Sequence, residues 1–492
     1  MEPCTIIRLK SSHLRFLLSM ATLSGITLLS PVSAADSGVD VRTQAQIMPL
    51  PGKLNQTPVF NSNCPEVVLS EGILLSTLPK KGKAYPGAHL DYAFEGDFEV
   101  FLHHIADGKK SGHPEDLYIA LVAQNTDSVP VLLKLKEGRT YLSQPDAPFV
   151  PLNKTLDNTK GDIFAGPGDR VSTELLYGTK RKKHKDLEKE IKLKPGETRV
   201  VDAWPIPVCE LTPPLNGRNG LFRFNSSGKV SLAAVALFAK KSSSLSKENL
   251  GAKSEPGTTK NNTFKNGVRP QDSEFIKVAF GSDRVEPRGL TASDPGEPGP
   301  YRYGRVSGVS VGSKWYCLED GERLDIKETP THIVLPLATV KGGTFGTAQE
   351  QSASVARRYE KTAHRAHGNY GVLYDVNLPV RNSSDKSLSI ALGFDSPVKS
   401  DKGNAIFLDK PSTMVFFRGS LEYKVQIPAN SGKQAKQTLE GRKHLVLHKG
   451  EKGPDLVSFD LDPGKVANVR VQLIYPADST PPQVISLQAV EK

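Results

Sequence analysis

Between His364 and Phe394 the chain reads H-R-A-H-G-N-Y-G-V-L-Y-D-V-N-L-P-V-R-N-S-S-D-K-S-L-S-I-A-L-G-F, and no other stretch limits the fold so narrowly. Val372, Tyr374, Val376, Leu378 and Val380 are apolar at every second position, with Asp375 and Asn377 between them and Arg381 following. That is the period of a half-buried strand. Asn382-Ser383-Ser384-Asp385 breaks the run with turn formers, after which Leu388, Ile390, Leu392 and Phe394 alternate again. Two alternating runs about a polar turn predict an antiparallel pair with one face on a core.

The same pattern occurs earlier. Leu117 to Ala123 is almost wholly apolar, Gln124-Asn125-Thr126-Asp127-Ser128 is polar, and Val129, Val131, Leu133 and Leu135 alternate. A second echo links K-P-G-E-T-R-V-V-D-A-W (194–204) to D-P-G-K-V-A-N-V-R-V-Q-L-I-Y (462–475). Asn125 and Asn382 are 257 residues apart, and Pro195 and Pro463 are 268 apart. Offsets that agree within a loop length predict a diverged duplication.

The segment 240–300 parts the copies. It is rich in Lys, Ser, Gly and Pro and reads as a largely disordered linker with a short strand at 275–280. Helical signal is scarce: 180–194 and 349–361 offer charged helical turns without a broad apolar stripe. The 42 Gly and 36 Pro are spread throughout, as suits short strands joined by turns. The fold expected is all-β, with two antiparallel immunoglobulin-like β-sandwiches at 52–239 and 301–492 and a flexible lead-in at 35–51.

Residues 1–34 read as a signal peptide. Arg8, Lys10 and Arg15 are basic, Phe16 to Ser30 is apolar, and Val32-Ser33-Ala34 offers a cleavage site before Ala35. The apolar run falls short of the ~20 residues that span a bilayer. The expectation is an exported protein of the periplasm or cell envelope, with no later transmembrane segment. Removing the signal leaves 61 Lys+Arg against 52 Asp+Glu, a net +9. That balance favours anionic partners, and export makes acidic polysaccharide or an envelope protein the expected partner rather than nucleic acid. Cys64, Cys209 and Cys317 survive cleavage; one bridge with a thiol left over and three free thiols both remain open.

His103-His104 follows a strand pattern and His364-x-x-His367 precedes one; Asn369 and Tyr370 complete R-A-H-G-N-Y-G. Two imidazoles three residues apart suit a shared metal, but no carboxylate stands at a motif spacing. Capping of strand ends by hydrogen bonds to loop backbone is the expected role. Lys180, Arg181, Lys182, Lys183 and Lys185 place five cations within six residues, fit to grip a polyanion unless Asp186, Glu188 and Glu190 neutralise them. Ser307, Gly308 and Ser310 lie in a glycine-spaced run whose G-V-S-V-G (308–312) has the letters of G-x-S-x-G but no base placed by sequence, and no H-E-x-x-H occurs. Gly304, Gly308 and Gly312 do not form a dinucleotide fingerprint, and Gly342 to Thr347 lacks the G-K-[ST] ending of a phosphate cradle, so it reads as a flexible loop. No catalytic residue, metal site or cofactor is expected.

L-P-G-K-L-N-Q-T-P-V-F-N-S-N, E-G-I-L-L-S-T, Y-L-S-Q-P-D-A-P-F, L-T-P-P-L-N-G-R, R-A-H-G-N-Y-G, V-F-F-R-G and Y-P-A-D-S-T-P-P-Q-V occur in that order. Together they resemble an uncharacterised cyanobacterial family of secreted proteins, domain of unknown function 3370. The resemblance spans nearly the whole chain after the signal and implies an address in a cyanobacterial envelope or periplasm. It implies no activity and no catalytic residue. The function expected is a non-enzymatic envelope module that binds a polyanionic glycan or a protein partner. The alternative is a secreted hydrolase acting on envelope polysaccharide.

Overall fold

The computed structural model describes residues 40–43, 45–178, 189–240, 267–317, 323–429 and 436–492. The signal segment, the Lys180–Lys185 run and most of the 240–270 stretch lie outside these. Among the described residues, strands form sheets of twelve, eight, five and two. The fold is all-β, as the alternation predicts.

The organising stretch forms strands Leu373–Asn382 and Leu388–Asp395. They lie in different sheets, the eight-stranded and the five-stranded, so the antiparallel pair expected of them does not form and each pairs with other strands. Tyr374, Val376, Leu378 and Val380 point inward to meet Ile390, Leu392, Ile485 and Leu487, all buried in one core. Asn377 on the other face is exposed. Two sheets with one shared apolar interior make this half a sandwich.

The first half is joined differently. Strand Leu215–Phe238 is 24 residues long. Its opening part pairs with strands Phe94–Asp107 and Val131–Leu142, and its closing part with Leu117–Asn125 and Gly72–Ser76. The register shifts between Ser226 and Val230, around Gly228, where the strand leaves one set of partners for the other.

The Asn-centred turns agree bond for bond. Asn125 Nδ2 donates to the Val129 and Leu193 carbonyls at 2.8 and 3.0 Å, and its Oδ1 accepts from the Asp127 N–H. Asn382 Nδ2 donates to the Lys386 and Leu461 carbonyls at 2.7 and 2.8 Å, and its Oδ1 accepts from the Ser384 N–H. The Gly196 and Gly464 amides donate to the carbonyls of Asn125 and Asn382 respectively. Strand registers match at the same offsets: Gln124 opposes Thr198 as Arg381 opposes Val466, and Val131 opposes Leu193 as Leu388 opposes Leu461.

Several expectations are corrected. Pairing is mixed: Val59 to Ser62 runs parallel to Glu99 to Leu102, and Lys314 to Tyr316 parallel to Leu373 to Asp375. The halves are also interleaved, since Pro58–Ser62 pairs with Ser307–Val311 and Thr155–Asp157 with residues 443–445. The expected lead-in is paired rather than loose, for 40–43 joins 405–408 and 46–47 joins 333–334. Strands this short carry too few residues to show an alternation.

The expected strand at 275–280 is a helix, Asp272–Gly281. Gln271 and Glu274 form a capping box, and Phe275 and Ala279, four apart, bury against Ala233, Val235 and Leu237. Residues 353–358 and 190–193 are strands rather than helical turns. The helix the sequence concealed is Pro167–Tyr177. Its buried side carries Asp169, Thr173 and Glu174 beside Val171 and Leu175, so its apolar stripe is narrow. Asp169 Oδ2 lies 2.7 Å from His444 Nε2, with both side chains fully buried, and Asp478 Oδ2 accepts the Gly168 N–H. Thr173 and Tyr177 donate to Ser420 Oγ and the Leu421 carbonyl. The helix thereby fastens the first half to the eight-stranded sheet through polar contacts and through Val171 and Leu175, which cluster with Ile474 and Ala477.

Candidate functional site

The four histidines do not share a point. His104 is buried, its Nδ1–H donating to the Pro65 carbonyl at 2.9 Å while Ser62 Oγ donates to its Nε2. Burial pushes its pKa down to about 3, so it stays neutral. His103, the adjacent strand residue, points the other way. Its Nε2 lies 3.3 Å from Glu66, which also pairs with Arg305, and Asn219 Nδ2 donates to its Nδ1. Phe101 stacks between His103 and Tyr370, at centroid distances of 6.4 and 6.2 Å. His103 and Tyr370 therefore belong to the seam between the halves. His364 Nε2 sits 2.9 Å from Asp294 and 2.8 Å from Arg358. Among the described residues no group of three His, Cys, Asp or Glu side chains is placed to hold a metal.

Beside Tyr370 a niche of about 10 Å³ is lined by Asn61, Glu99, Ser310 and Ser313, roughly the room of one water and too little for a sugar. Burial lifts Glu99 to about 7 despite Arg223 at 3.2 Å.

His367 is different, because it stands at the centre of a surface cluster. Tyr301 Oη donates to its Nε2 at 3.1 Å, and its Nδ1 faces Glu350 Oε1 at 3.5 Å. Burial and the surrounding cations push His367 down to about 3. The Tyr301 and Tyr303 rings meet edge to face at 5.1 Å, and each also packs edge-on against the imidazole. Lys341 Nζ lies 4.3 Å from the Tyr301 ring centre, and Lys399 Nζ lies 4.4 Å from that of Tyr303. Lys399 also donates to Tyr303 Oη, which donates to the Lys341 carbonyl.

Neighbouring charges are mostly matched: Arg302 with Glu297, Arg365 with Glu350, His364 with Asp294. Neither Lys341 nor Lys399 has a described carboxylate within 4.0 Å; burial against Tyr303 pushes the Lys399 ammonium below the usual lysine range, and Asp401 opposes that from farther away. Both ammonium-bearing side chains are exposed, and the tyrosines are half-exposed.

The local backbone explains the gathering. Asn369 takes a left-handed φ of 52° and donates to the Ala338 carbonyl, turning the 364–371 segment back under the tyrosines. Gly342, at φ 76°, turns the chain after Lys341. Thr344 donates from both N–H and Oγ1 to Asp401 at 2.9 Å, so this glycine-rich loop faces a carboxylate and not a phosphate.

Of the candidate residues, His367 and Asn369 build this patch, His364 lies near its rim, and His103, His104 and Tyr370 serve the interior. Lys180, Arg181, Lys182, Lys183 and Lys185 lie outside the described residues. Sequence reasoning missed Tyr301, Tyr303, Lys341, Glu350 and Lys399, which come from separate segments. The one local signal was Y-R-Y, whose spacing puts both rings on one side of an extended chain. Cys64, Cys209 and Cys317 are all free thiols.

Fold and patch define a class: a β-rich protein with an aromatic and cationic surface site, in which no described helix is long and apolar enough to cross a membrane. The chain belongs to the family described as Protein of unknown function (DUF3370), whose profile matches residues 45–489. No curated protein matches it. Among solved structures it is compared with the CUB1-EGF-CUB2 domains of rat MASP-1, at 8% identity over 81% of this chain and 93% of that one, TM-score 0.15. The tandem CBM22-1-CBM22-2 domain of Paenibacillus barcinonensis Xyn10C gives 8% identity over 86% and 98%, TM-score 0.15. Superpositions this poor establish no shared fold.

Proposed function

We propose that this chain is an exported, non-enzymatic cell-envelope protein, descended from a duplication, that holds a polyanionic glycan on the Tyr301–Tyr303–Lys341–Lys399 patch. The observation that carries the reading is the pair of surface lysines, neither with a described carboxylate within 4.0 Å of its ammonium, seated on tyrosine faces. A surface cation without an acid partner attracts an anion without first breaking an ion pair. The part of each tyrosine ring that the ammonium leaves uncovered adds apolar contact for a sugar ring. A protein partner with an acidic segment is the other ligand this charge pattern fits. Support for the duplication comes from the matched Asn125 and Asn382 hydrogen bonds and strand registers.

The hydrolase alternative has one observation in its favour, the alignment of Tyr301, His367 and Glu350. A histidine held near 3 takes up a proton too weakly to serve as a base near neutrality.

The test is retention on a heparin column. Lys341→Gln with Lys399→Gln should elute at lower salt than the parent, and the gap should close as salt rises. Unchanged retention of the double variant contradicts the patch reading. Further loss on changing Lys180–Lys185 to glutamine would assign that run a share of the grip.

A further inference from the structure

We infer that the ligand is a polymer of low charge density, a uronic-acid polysaccharide carrying one carboxylate per sugar ring, and not a dense polyanion such as a polysulfate or polyphosphate. This rests on the patch reading above and narrows it to one chemical class.

Charge balance leads there first. Dense polyanions are gripped by rows of cations that displace many counterions together. Here two lysines are unmatched, and acids surround them: Glu350 below His367, Glu297 on Arg302, Asp294 on His364, and Asp401 beside Lys399. A chain with several charges per repeat would bring surplus anions against those carboxylates. A chain with one charge per ring brings one for each lysine.

Geometry gives the second argument. Each ammonium caps one face of a tyrosine that stays partly exposed, so the charge and the remaining apolar surface lie side by side. An occupant must offer a negative group and a flat apolar face within one residue's width. A pyranose bearing a carboxylate does so; inorganic polyphosphate has no apolar face, and a neutral glucan has no charge. The rings are held in place from beneath. Tyr301 is fixed by neutral His367 and Tyr303 by the Lys341 carbonyl, so little ordering is left for binding to impose.

The experiment is titration calorimetry of the full chain with polygalacturonate, dextran, dextran sulfate and inorganic polyphosphate, at a fixed ionic strength of about 0.15 M. Polygalacturonate should bind, and Lys341→Gln with Lys399→Gln should weaken it about tenfold, the effect of losing two exposed charge contacts. Dextran should not bind measurably. The sulfate and phosphate polymers should bind more weakly than polygalacturonate. If either dense polymer binds as tightly or more tightly and loses affinity in the lysine variant, the uronate inference is overturned while polyanion binding at the patch stands. Dextran binding as tightly as polygalacturonate also overturns it. If no polymer responds to the lysine changes, the patch reading itself falls. Both lysines are exposed, so an unchanged melting temperature separates lost binding from lost folding.

Discussion

The turns at Asn125 and Asn382 have the same hydrogen bonds and different surroundings. Around Asn382 the two strands diverge into separate sheets that close on one core. Around Asn125 the strands meet again through Leu215–Phe238, which bends at 226–230 and pairs with both. The segments that lead into the two units differ as well. Before Leu373 the chain takes its left-handed turn at Asn369 and presents His367 to two tyrosines. At the matching offset before Leu117 the left-handed residue is Gly112, followed by His113 stacked on Phe238 at 4.0 Å. The asparagine turns are scaffold, and the surface chemistry beside them differs.

The largest effects should come from charges placed in the two main cores, one holding Val376 and the other Leu133. Val376→Asp and Leu133→Asp each bury a carboxylate without a partner and should cost several kcal/mol. Asn377→Asp and Lys134→Asp, on the exposed faces, should each cost under ~1 kcal/mol. Because strands of the two halves share sheets, both buried variants should lower a single calorimetric transition. Two independent transitions would break the interleaved account.

Asn125→Ala and Asn382→Ala come next. Each strips donors from two carbonyls, at a cost of about 1–3 kcal/mol per group left buried and bare. Urea midpoints should fall by comparable amounts. A large loss at one site and none at the other would end the equivalence.

Acid should act oppositely on two buried groups. His367 is held near 3, below the ordinary 6.5, so the unfolded chain takes the proton first and stability falls as pH drops from 6.5 toward 3. Glu99 is lifted from 4.5 to about 7, so the folded chain takes the proton first and stability falls as pH rises from 4.5 to 7. His367→Gln should flatten the first slope and Glu99→Gln the second, read from denaturation midpoints across pH. Arg223 keeps Glu137 as a partner in the Glu99 variant.

Much of the strand arrangement was legible. Alternation at 372–380 and 388–394, and the repeated Asn and Pro-Gly turns, predicted the inward faces and the paired offsets, because burial on one face leaves a period of two. The Pro167–Tyr177 helix was not, since Asp169, Thr173 and Glu174 line its buried side and find partners far away in sequence. Interleaving was hidden for a related reason: strands such as Lys53–Leu54 and Thr155–Asp157 are two or three residues long. The patch was half visible. His367 and Asn369 lie in the organising stretch, but Lys341 and Lys399 reach it only through the fold.

The comparison predicts that the patch has no binding counterpart in the matching loop of the first unit, and one charge-matched experiment tests it. Lys341→Gln with Lys399→Gln removes two exposed cations from the patch; Lys109→Gln with Lys110→Gln removes two from the corresponding loop of the first unit. Calorimetric titration with polygalacturonate should show about tenfold weaker binding for the first pair and parental affinity for the second. Equal losses in both pairs, or a loss confined to the Lys109–Lys110 pair, would contradict the account.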